Sequence, residues 1–259
     1  MGVVLGRGRR ALLSVVVVVS AGLAGSTGGG ATGTAAVAGS APPSVPVVSP
    51  SPSVSASSAA PVKPRISKAG MDYFSAIAFG GKYGAKVKYV TRWETDEVTI
   101  RVHGGNAKSR SCLGTVVKDF NAITATTDMK LTTEATADID LYFAAKSTFH
   151  SLDEDYVSGD ASFTVNWSRY HTINSAIVLI RSSGTTERDR CRMIRGELTG
   201  SMGLVGTSTK HPGSVFYARS SPAAMKYTAL DKEVIGLLYS GSVYPGDTPQ
   251  IVKEAVTVG

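Results

Sequence analysis

The apolar positions divide the chain into two parts: an aperiodic stretch up to about residue 65, and a periodic stretch that continues to residue 259. In the periodic part, apolar residues at helical spacing predict helices over 71–79, 112–124, 187–202 and 228–239. Alternating apolar and polar residues predict strands over 88–93, 97–102, 137–144, 162–167 and 173–180. Thr228 and Asp231 match a helix-capping box at the start of the last helix. This order of elements predicts a mixed α/β fold, with a sheet packed on helices and a C-terminal helix.

The first 24 residues have the pattern of a signal peptide. Three arginines at positions 7, 9 and 10 precede an apolar stretch over 11–23, and small residues follow at the position where a signal peptidase would cut. The stretch is shorter than the ~20 residues of a membrane-spanning helix. We therefore expect cleavage and no stable membrane span afterwards, with a retained N-terminal anchor as the alternative.

Residues 25–65 consist almost entirely of Gly, Ala, Ser, Thr, Val and Pro. Such a stretch cannot bury enough apolar surface to offset the entropy lost on ordering, so it is predicted to be a disordered linker. It would act as a tether or as a neutral spacer. The remaining residues, 66–259, are long enough for one globular domain.

The positive charge of the chain lies largely in its leader. Five of the 27 Lys and Arg residues precede residue 66 and no acidic residue does, which leaves 22 cationic residues against 20 acidic ones in the domain. The net charge of +7 is therefore no argument for a nucleic-acid partner, and none is expected.

The stretch over 196–206, GELTGSMGLVG, resembles the zinc-binding signature of metzincin proteases, HExxHxxGxxH. In this alignment Glu197 matches the general base and Gly203 matches the conserved turn. The three positions of the zinc-binding histidines are Gly196, Gly200 and Gly206. The resemblance therefore implies a protease scaffold without its metal ligands, and we expect no metal and no cofactor. A plain amphipathic helix that ends at a glycine is the alternative for this segment alone.

Further segments extend the resemblance in the same order along the chain. Residues 214–217, SVFY, are similar to the Met-turn of matrixin-like metzincins with Phe216 in place of Met, and residues 227–239 are similar to their C-terminal helix. Residues 137–141, ADIDL, resemble a strand of that fold. A bacterial family of unknown function has the whole pattern, including YFSAIAFG at 73–80, Arg92-Trp93, Cys112 and Cys191. The resemblance implies a zincin-like fold.

The two cysteines, Cys112 and Cys191, are the only ones in the chain. In an exported protein pairing is the usual state, so a disulfide is expected, with two free thiols as the alternative. Neither cysteine matches a nucleophile motif.

We therefore expect a secreted or envelope-associated pseudo-protease, a monomer that binds an extended peptide or an envelope protein. Strand 162–167 is the candidate binding edge, unless residues 168–172 cover it. The alternatives are a hydrolase that uses Glu197 with a non-standard or absent metal, and a purely structural wall protein. Without a metal, Glu197 could not generate hydroxide near neutral pH, because free water has a pKa of about 15.7.

Overall fold

The computed structural model describes residues 63–80, 87–218 and 225–259. The predicted signal peptide, and the predicted linker up to residue 62, lie outside the described residues. The elements in chain order are β1 (Arg65–Ile66), α1 (Lys68–Ala78), β2 (Glu97–His103), α2 (Ala107–Asn121), β3 (Asp128–Thr132), β4 (Ile139–Ala144), α3 (Phe149–Leu152), β5 (Ala161–Trp167), β6 (Ile173–Arg181), α4 (Glu187–Gly200), α5 (Ala229–Leu238), α6 (Pro249–Ala255) and β7 (Thr257–Val258).

The central sheet has five strands in the order β3-β2-β4-β6-β5. Its first four strands run parallel to one another, and β5 pairs antiparallel with β6 at one edge. The predicted mixed α/β fold is confirmed, and so is the position of residues 162–167 in a strand. This strand lies at the edge of the sheet.

The apolar core lies between one face of this sheet and the helices. Alternate residues of the strands, such as Ile100, Leu141 and Val178, are fully buried there against apolar residues from α1, α2, α4 and α5. Helix α2 packs on α4, and α1 packs on α5. A smaller cluster of Phe149, Tyr156 and Leu179 covers part of the other face. Helix α4 is thus held between the sheet and α2, which fixes the segment that carries Glu197.

Polar side chains set the starts of the long helices. The side chains of Ser67, Asn106, Thr186 and Thr228 each accept a hydrogen bond from the backbone N–H three residues later. The capping box of Thr228 and Asp231 is confirmed. The cap at Asn106 also explains why α2 begins at residue 107, five residues before the start that apolar spacing predicts, since the first turn of α2 carries no large apolar side chain.

The strand predicted over 88–93 is wrong. Only Arg92 forms a bridge, to Thr172, and neighbouring backbone groups bond to a loop instead: Val90 N–H donates to the Asp247 carbonyl at 2.8 Å. Five short elements that lack a clear apolar period, β1, β3, α3, α6 and β7, were not predicted. Within residues 63–80, 87–218 and 225–259 no helix is long and apolar enough to cross a membrane.

Candidate active site

The segment that resembles the zinc signature forms the C-terminal half of α4 and the turn after it. Gly196 and Gly200 lie one helical turn apart on α4, and Gly203 follows with a φ of 102°. A Cβ on residue 203 would lie 2.0 Å from the Thr91 carbonyl oxygen. Gly203 therefore meets two needs at once, a left-handed backbone and close contact with the chain before Arg92.

Three buried side chains fasten this turn to the rest of the domain. Trp93 Nε1 donates to the Ser201 carbonyl at 3.1 Å, and the Tyr239 hydroxyl donates to the Met202 carbonyl at 2.8 Å. The guanidinium of Arg92 lies over the ring of Tyr239 and donates to three main-chain carbonyls, of Trp93, Leu238 and Val243. Burial lowers the pKa of Arg92 and raises the pKa of Tyr239. The Arg-Trp pair of the sequence pattern is thus an internal anchor for the end of α4.

A small cleft of about 40 Å³ lies between α4, β5 and the chain after Gly203. A carboxylate, Glu197, lies in its wall and is 7% exposed. The volume is enough for a few water molecules. The lining residues are Phe163, Arg192, Met193, Gly196, Glu197, Gly200, Leu204, Val205, Gly206, Thr207, Val215, Phe216 and Tyr217. All three glycines at the histidine positions of the resembled motif therefore border one space.

These three glycines differ in the room they leave for a side chain. A Cβ on residue 196 would lie 3.4 Å from the Val215 carbonyl oxygen, which is ordinary contact. A Cβ on residue 200 would lie 2.3 Å from the ring of Phe163. A Cβ on residue 206 would lie 2.3 to 2.6 Å from three backbone carbonyl oxygens at the end of α1 and just after it. An imidazole has no room at 206 unless the backbone moves.

The zinc ion that the metzincin resemblance implies does not fit the residues present. Glycine offers no side-chain ligand, and two of the three positions are closed by the Phe163 ring and by the carbonyls of α1. Across the three described ranges no group of three or more His, Cys, Asp or Glu residues is placed to hold a metal ion. The donors that a zinc site requires are therefore not assembled around this cleft.

A buried network of polar side chains holds the loop over 214–217 in place. The Tyr73 hydroxyl donates to Ser214 Oγ at 2.6 Å, and Ser214 Oγ donates to the carboxylate of Asp231, which also receives the Thr228 N–H at 2.9 Å. Burial, with the nearby Asp231 charge, raises the pKa of Tyr73 to about 12. The network joins α1, the loop and the start of α5, and so fixes Phe216 at the cleft wall.

One histidine and two aspartates near the resembled segments, which could in principle bind a metal, are engaged in other contacts. His211 packs edge-on against the ring of Tyr73, with centroids 4.6 Å apart, and is not among the lining residues. Asp138 and Asp140 accept hydrogen bonds from the neighbouring strand β2, Asp138 from Thr99 and Asp140 from Arg101. These carboxylates therefore stabilise the sheet through hydrogen bonds to β2.

A disulfide joins Cys112 of α2 to Cys191 of α4, with Cα atoms 5.8 Å apart. The expected pairing is confirmed, and the alternative of two free thiols is wrong. The bond lies one and a half helical turns before Glu197 on α4, so it holds the two packed helices together beside the cleft.

Sequence reasoning missed the role of Phe163. Its alternation with polar neighbours in β5 placed it on the inward face, but only the packing shows that its ring covers Gly200. Arg192 and Tyr217 also border the cleft, and no motif marked them.

Comparison with known proteins gives a family and two distant structures. Two solved structures of myroilysin resemble the chain: one is 11% identical, covers 57% of this chain and 86% of that protein, and has a TM-score of 0.40. The other is 12% identical, covers 58% and 98% respectively, and also has a TM-score of 0.40. No curated protein matches the chain. A family model described as "Protein of unknown function (DUF2927)" matches residues 67–258, so the chain belongs to that family.

Proposed function

We propose that this protein is an exported, zincin-like pseudo-protease domain that binds an extended peptide in the cell envelope or outside the cell without hydrolysing it. The proposal rests on the residues that line the cleft and on the space they leave. Its carboxylate, Glu197, remains in the wall, while the three positions that would hold metal ligands are glycines and two of them are closed by Phe163 and α1. The tethering leader and the extracellular location are part of the proposal.

The edge of β5 supports the mode of binding. The Arg181 N–H donates to the Asp160 carbonyl at 2.9 Å, and ladder bonds alternate along an antiparallel pair. By that alternation Thr164, opposite Ile177, bonds to β6, whereas Ala161 and Val165 direct their backbone groups away from β6. An extended peptide can pair with such outward groups through main-chain hydrogen bonds, and that pairing needs no metal.

Residues 168–172 follow this edge directly along the chain. They form the turn that joins β5 to β6, since the Ser168 N–H donates to the Thr172 carbonyl at 2.9 Å. This turn supports an open edge, against the alternative that residues 168–172 cover it. Among the described residues, neither Ala161 nor Val165 makes a main-chain hydrogen bond on the outer side.

Glu197 would then serve as a fixed polar group in the cleft wall. A glutamate activates water for hydrolysis in zinc proteases because the metal lowers the pKa of that water to about 7. The described part of the chain supplies no set of side chains at the cleft to hold such a metal. The alternative function, hydrolysis by Glu197 with a non-standard metal or none, is an outcome of the experiment below.

The first experiment selects peptides from a random decapeptide display library with the mature chain and measures their affinity by fluorescence anisotropy. Val165→Pro removes an outward N–H, whereas Val165→Thr keeps it and nearly keeps the side-chain shape. We expect Val165→Pro to weaken binding about tenfold, the equivalent of ~1.4 kcal/mol, and Val165→Thr to leave it unchanged. Equal affinity of the two folded variants, or failure to select any peptide, contradicts binding at this edge.

The second experiment tests hydrolysis and metal binding in the same preparation. We expect no cleavage of the selected peptides or of casein, and far less than one zinc ion per chain by elemental analysis. Cleavage that Glu197→Gln abolishes would establish the hydrolase instead. One zinc ion per chain that is lost in Glu197→Gln or His211→Ala would overturn the assignment of a metal-free cleft.

A further inference from the structure

Three exposed tyrosines lie on one surface that the cleft does not include. Tyr89, Tyr170 and Tyr244 are 38%, 64% and 57% exposed. The other exposed large apolar side chains among the described residues, Leu131, Val157, Ile251 and Val258, are all aliphatic. Among the described residues, the exposed large aromatic side chains are therefore these three tyrosines. We name this group the tyrosine surface.

Main-chain contacts bring the three tyrosines together. The segment after Tyr89 pairs with the loop after Tyr244: Gly246 N–H donates to the Val90 carbonyl at 2.9 Å. The rings of Tyr89 and His171 lie 4.6 Å apart. A Cβ on Gly246 would lie 3.9 Å from both the Tyr170 carbonyl oxygen and the His171 ring. The tyrosines thus come from three adjoining segments, over 87–90, 168–172 and 243–247.

The tyrosine surface is held in place by its own polar contacts. The guanidinium of Arg169 lies over the ring of Tyr170, 4.7 Å from its centroid, and donates to its hydroxyl. The Tyr244 hydroxyl donates to the Gly241 carbonyl at 2.7 Å. His171 takes a φ of 65° in the turn between β5 and β6, a conformation more usual for glycine or asparagine, and this places its ring against Tyr89. Two of the exposed rings are therefore fixed by their hydroxyl groups, and the third by the His171 ring.

The chemistry of this surface fits a neutral sugar chain. An exposed aromatic ring can contact the apolar C–H face of a sugar ring with the face that its neighbours leave free, and rigid tyrosines do so at a small cost in side-chain entropy. The three segments carry few charges, of both signs: Lys88, Arg169 and Asp247. Burial lowers the pKa of His171, so its ring is neutral near neutral pH. Tyrosine and arginine are also enriched at protein interfaces, so binding of a polypeptide is an outcome that the experiment below tests.

We propose that the tyrosine surface, formed by Tyr89, Tyr170 and Tyr244, binds a neutral oligosaccharide by stacking its sugar rings. The site shares no residue with the cleft lined by Glu197 and Phe163, so it is independent of the proposed peptide binding. A wall or matrix glycan is the source that this chemistry allows for an exported chain.

The experiment uses the mature chain with chitotetraose and, separately, cellotetraose at millimolar concentration, followed by saturation-transfer NMR and calorimetry. We expect one of the two sugars to bind. Tyr170→Ala and Tyr244→Ala should each weaken that binding about tenfold, as the loss of one stacking ring does for a nucleic-acid base. Tyr170→Phe keeps the ring and should bind within about twofold of the parent chain.

The matched control is Val157→Ala, which removes an exposed apolar side chain away from the surface and should leave sugar binding unchanged. Val165→Pro should also leave it unchanged, which separates this proposal from peptide binding at β5. The proposal is wrong if neither sugar binds, or if the folded Tyr170→Ala and Tyr244→Ala variants bind as the parent does. Loss of a polypeptide ligand in those two variants, with no sugar bound, would assign the surface to protein recognition.

Discussion

At the residue scale, Gly203 shows how one position can satisfy the fold in two ways. Its φ of 102° is a conformation that residues with a side chain rarely adopt, and its Cα approaches the chain at Thr91. By contrast, Gly114 lies inside α2 with no heavy atom within 4 Å of a Cβ placed there. Alanine substitution at these two glycines therefore compares a strained, crowded position with an open position inside a helix.

We expect Gly203→Ala to lower the free energy of unfolding by about 2 kcal/mol or more, through backbone strain and the contact with the Thr91 carbonyl. Gly114→Ala should instead raise it by about 0.5 to 1 kcal/mol, because alanine favours the helix and restricts the unfolded chain. Urea denaturation of both variants measures the difference. Equal stability of the two variants would show that the turn at residue 203 rearranges to accept a side chain.

Asp140 is a second residue whose surroundings decide its behaviour. Partial burial alone would raise the pKa of Asp140, but hydrogen bonds from Arg101 and His103, at 2.8 Å each, outweigh it and hold the pKa below its usual value. A carboxyl group with a lowered pKa in the folded state stabilises the fold above its unfolded pKa of about 3.9. That stabilisation is lost as the pH falls through the lower, folded value.

The prediction concerns the stability difference between the parent chain and Asp140→Asn. It should be largest above about pH 5 and should shrink as the pH falls below about 4, since protonation removes the advantage of the carboxylate. Chemical denaturation at a series of pH values measures it. The control is Asp72→Asn, which removes one exposed carboxylate that faces Lys68. A difference for Asp140→Asn that does not change with pH would contradict the assigned role.

At the scale of elements, helix α4 is held to its neighbours by several kinds of contact. The disulfide joins it to α2, and a half-buried ion pair between Arg195 and Asp119, 2.7 Å apart, joins the same two helices. The ring of Tyr227 lies under the Arg195 guanidinium, and its hydroxyl bonds to Thr199. These contacts hold the face of α4 that lies away from the cleft, which leaves the Gly196 and Gly200 side to form its wall.

We expect the double variant Cys112→Ala/Cys191→Ala to fold but to lose about 2 to 4 kcal/mol of unfolding free energy. The link closes a loop of 79 residues, for which the chain-entropy model gives at most about 4.5 kcal/mol. Denaturation of the variant beside the oxidised and reduced parent chain measures the loss. The reduced parent serves as control and should resemble the variant. An intact mass that does not rise by two hydrogens on reduction would refute the bond.

At the scale of the whole domain, the ends of the folded part close on each other. The short strands β1 and β7 run parallel, Gly259 N–H donates to the Ile66 carbonyl at 3.0 Å, and Lys68 N–H donates to the Gly259 carbonyl at 3.1 Å. The buried side chain of Val256 anchors this closure to the core. The pairing fixes the start of α1, whose other end supports Gly206 beside the cleft.

Removing residues 256–259 should therefore lower the free energy of unfolding by about 2 to 4 kcal/mol, from lost main-chain bonds and the lost burial of Val256. Amide hydrogen exchange should also accelerate in the first turn of α1. The control is Val258→Thr, which keeps the backbone pairing and changes only an exposed side chain. Unchanged exchange at Lys68 in the truncated chain would show that β7 is dispensable.

The sequence predicted the candidate site unevenly. It placed Glu197 and the glycines at 196, 200, 203 and 206 in one motif, because spacing along a helix is a local property. It could not show that Phe163, more than thirty residues earlier, lies against Gly200, or that Gly206 rests on the carbonyls of α1. Both contacts join distant parts of the chain, and apolar alternation says which face a residue occupies but not what it meets there.

By itself, the sequence determined the mixed order of helices and strands, the capping box at Thr228, and the absence of imidazole at the three glycine positions. These follow from periodicity, capping chemistry and residue type. Only the tertiary structure decided that β5 lies at the sheet edge, that residues 88–93 form no strand, and that Tyr89, Tyr170 and Tyr244 share a surface. The physical reason is that strand order and surface neighbours depend on packing between segments far apart in the chain, which no local pattern records.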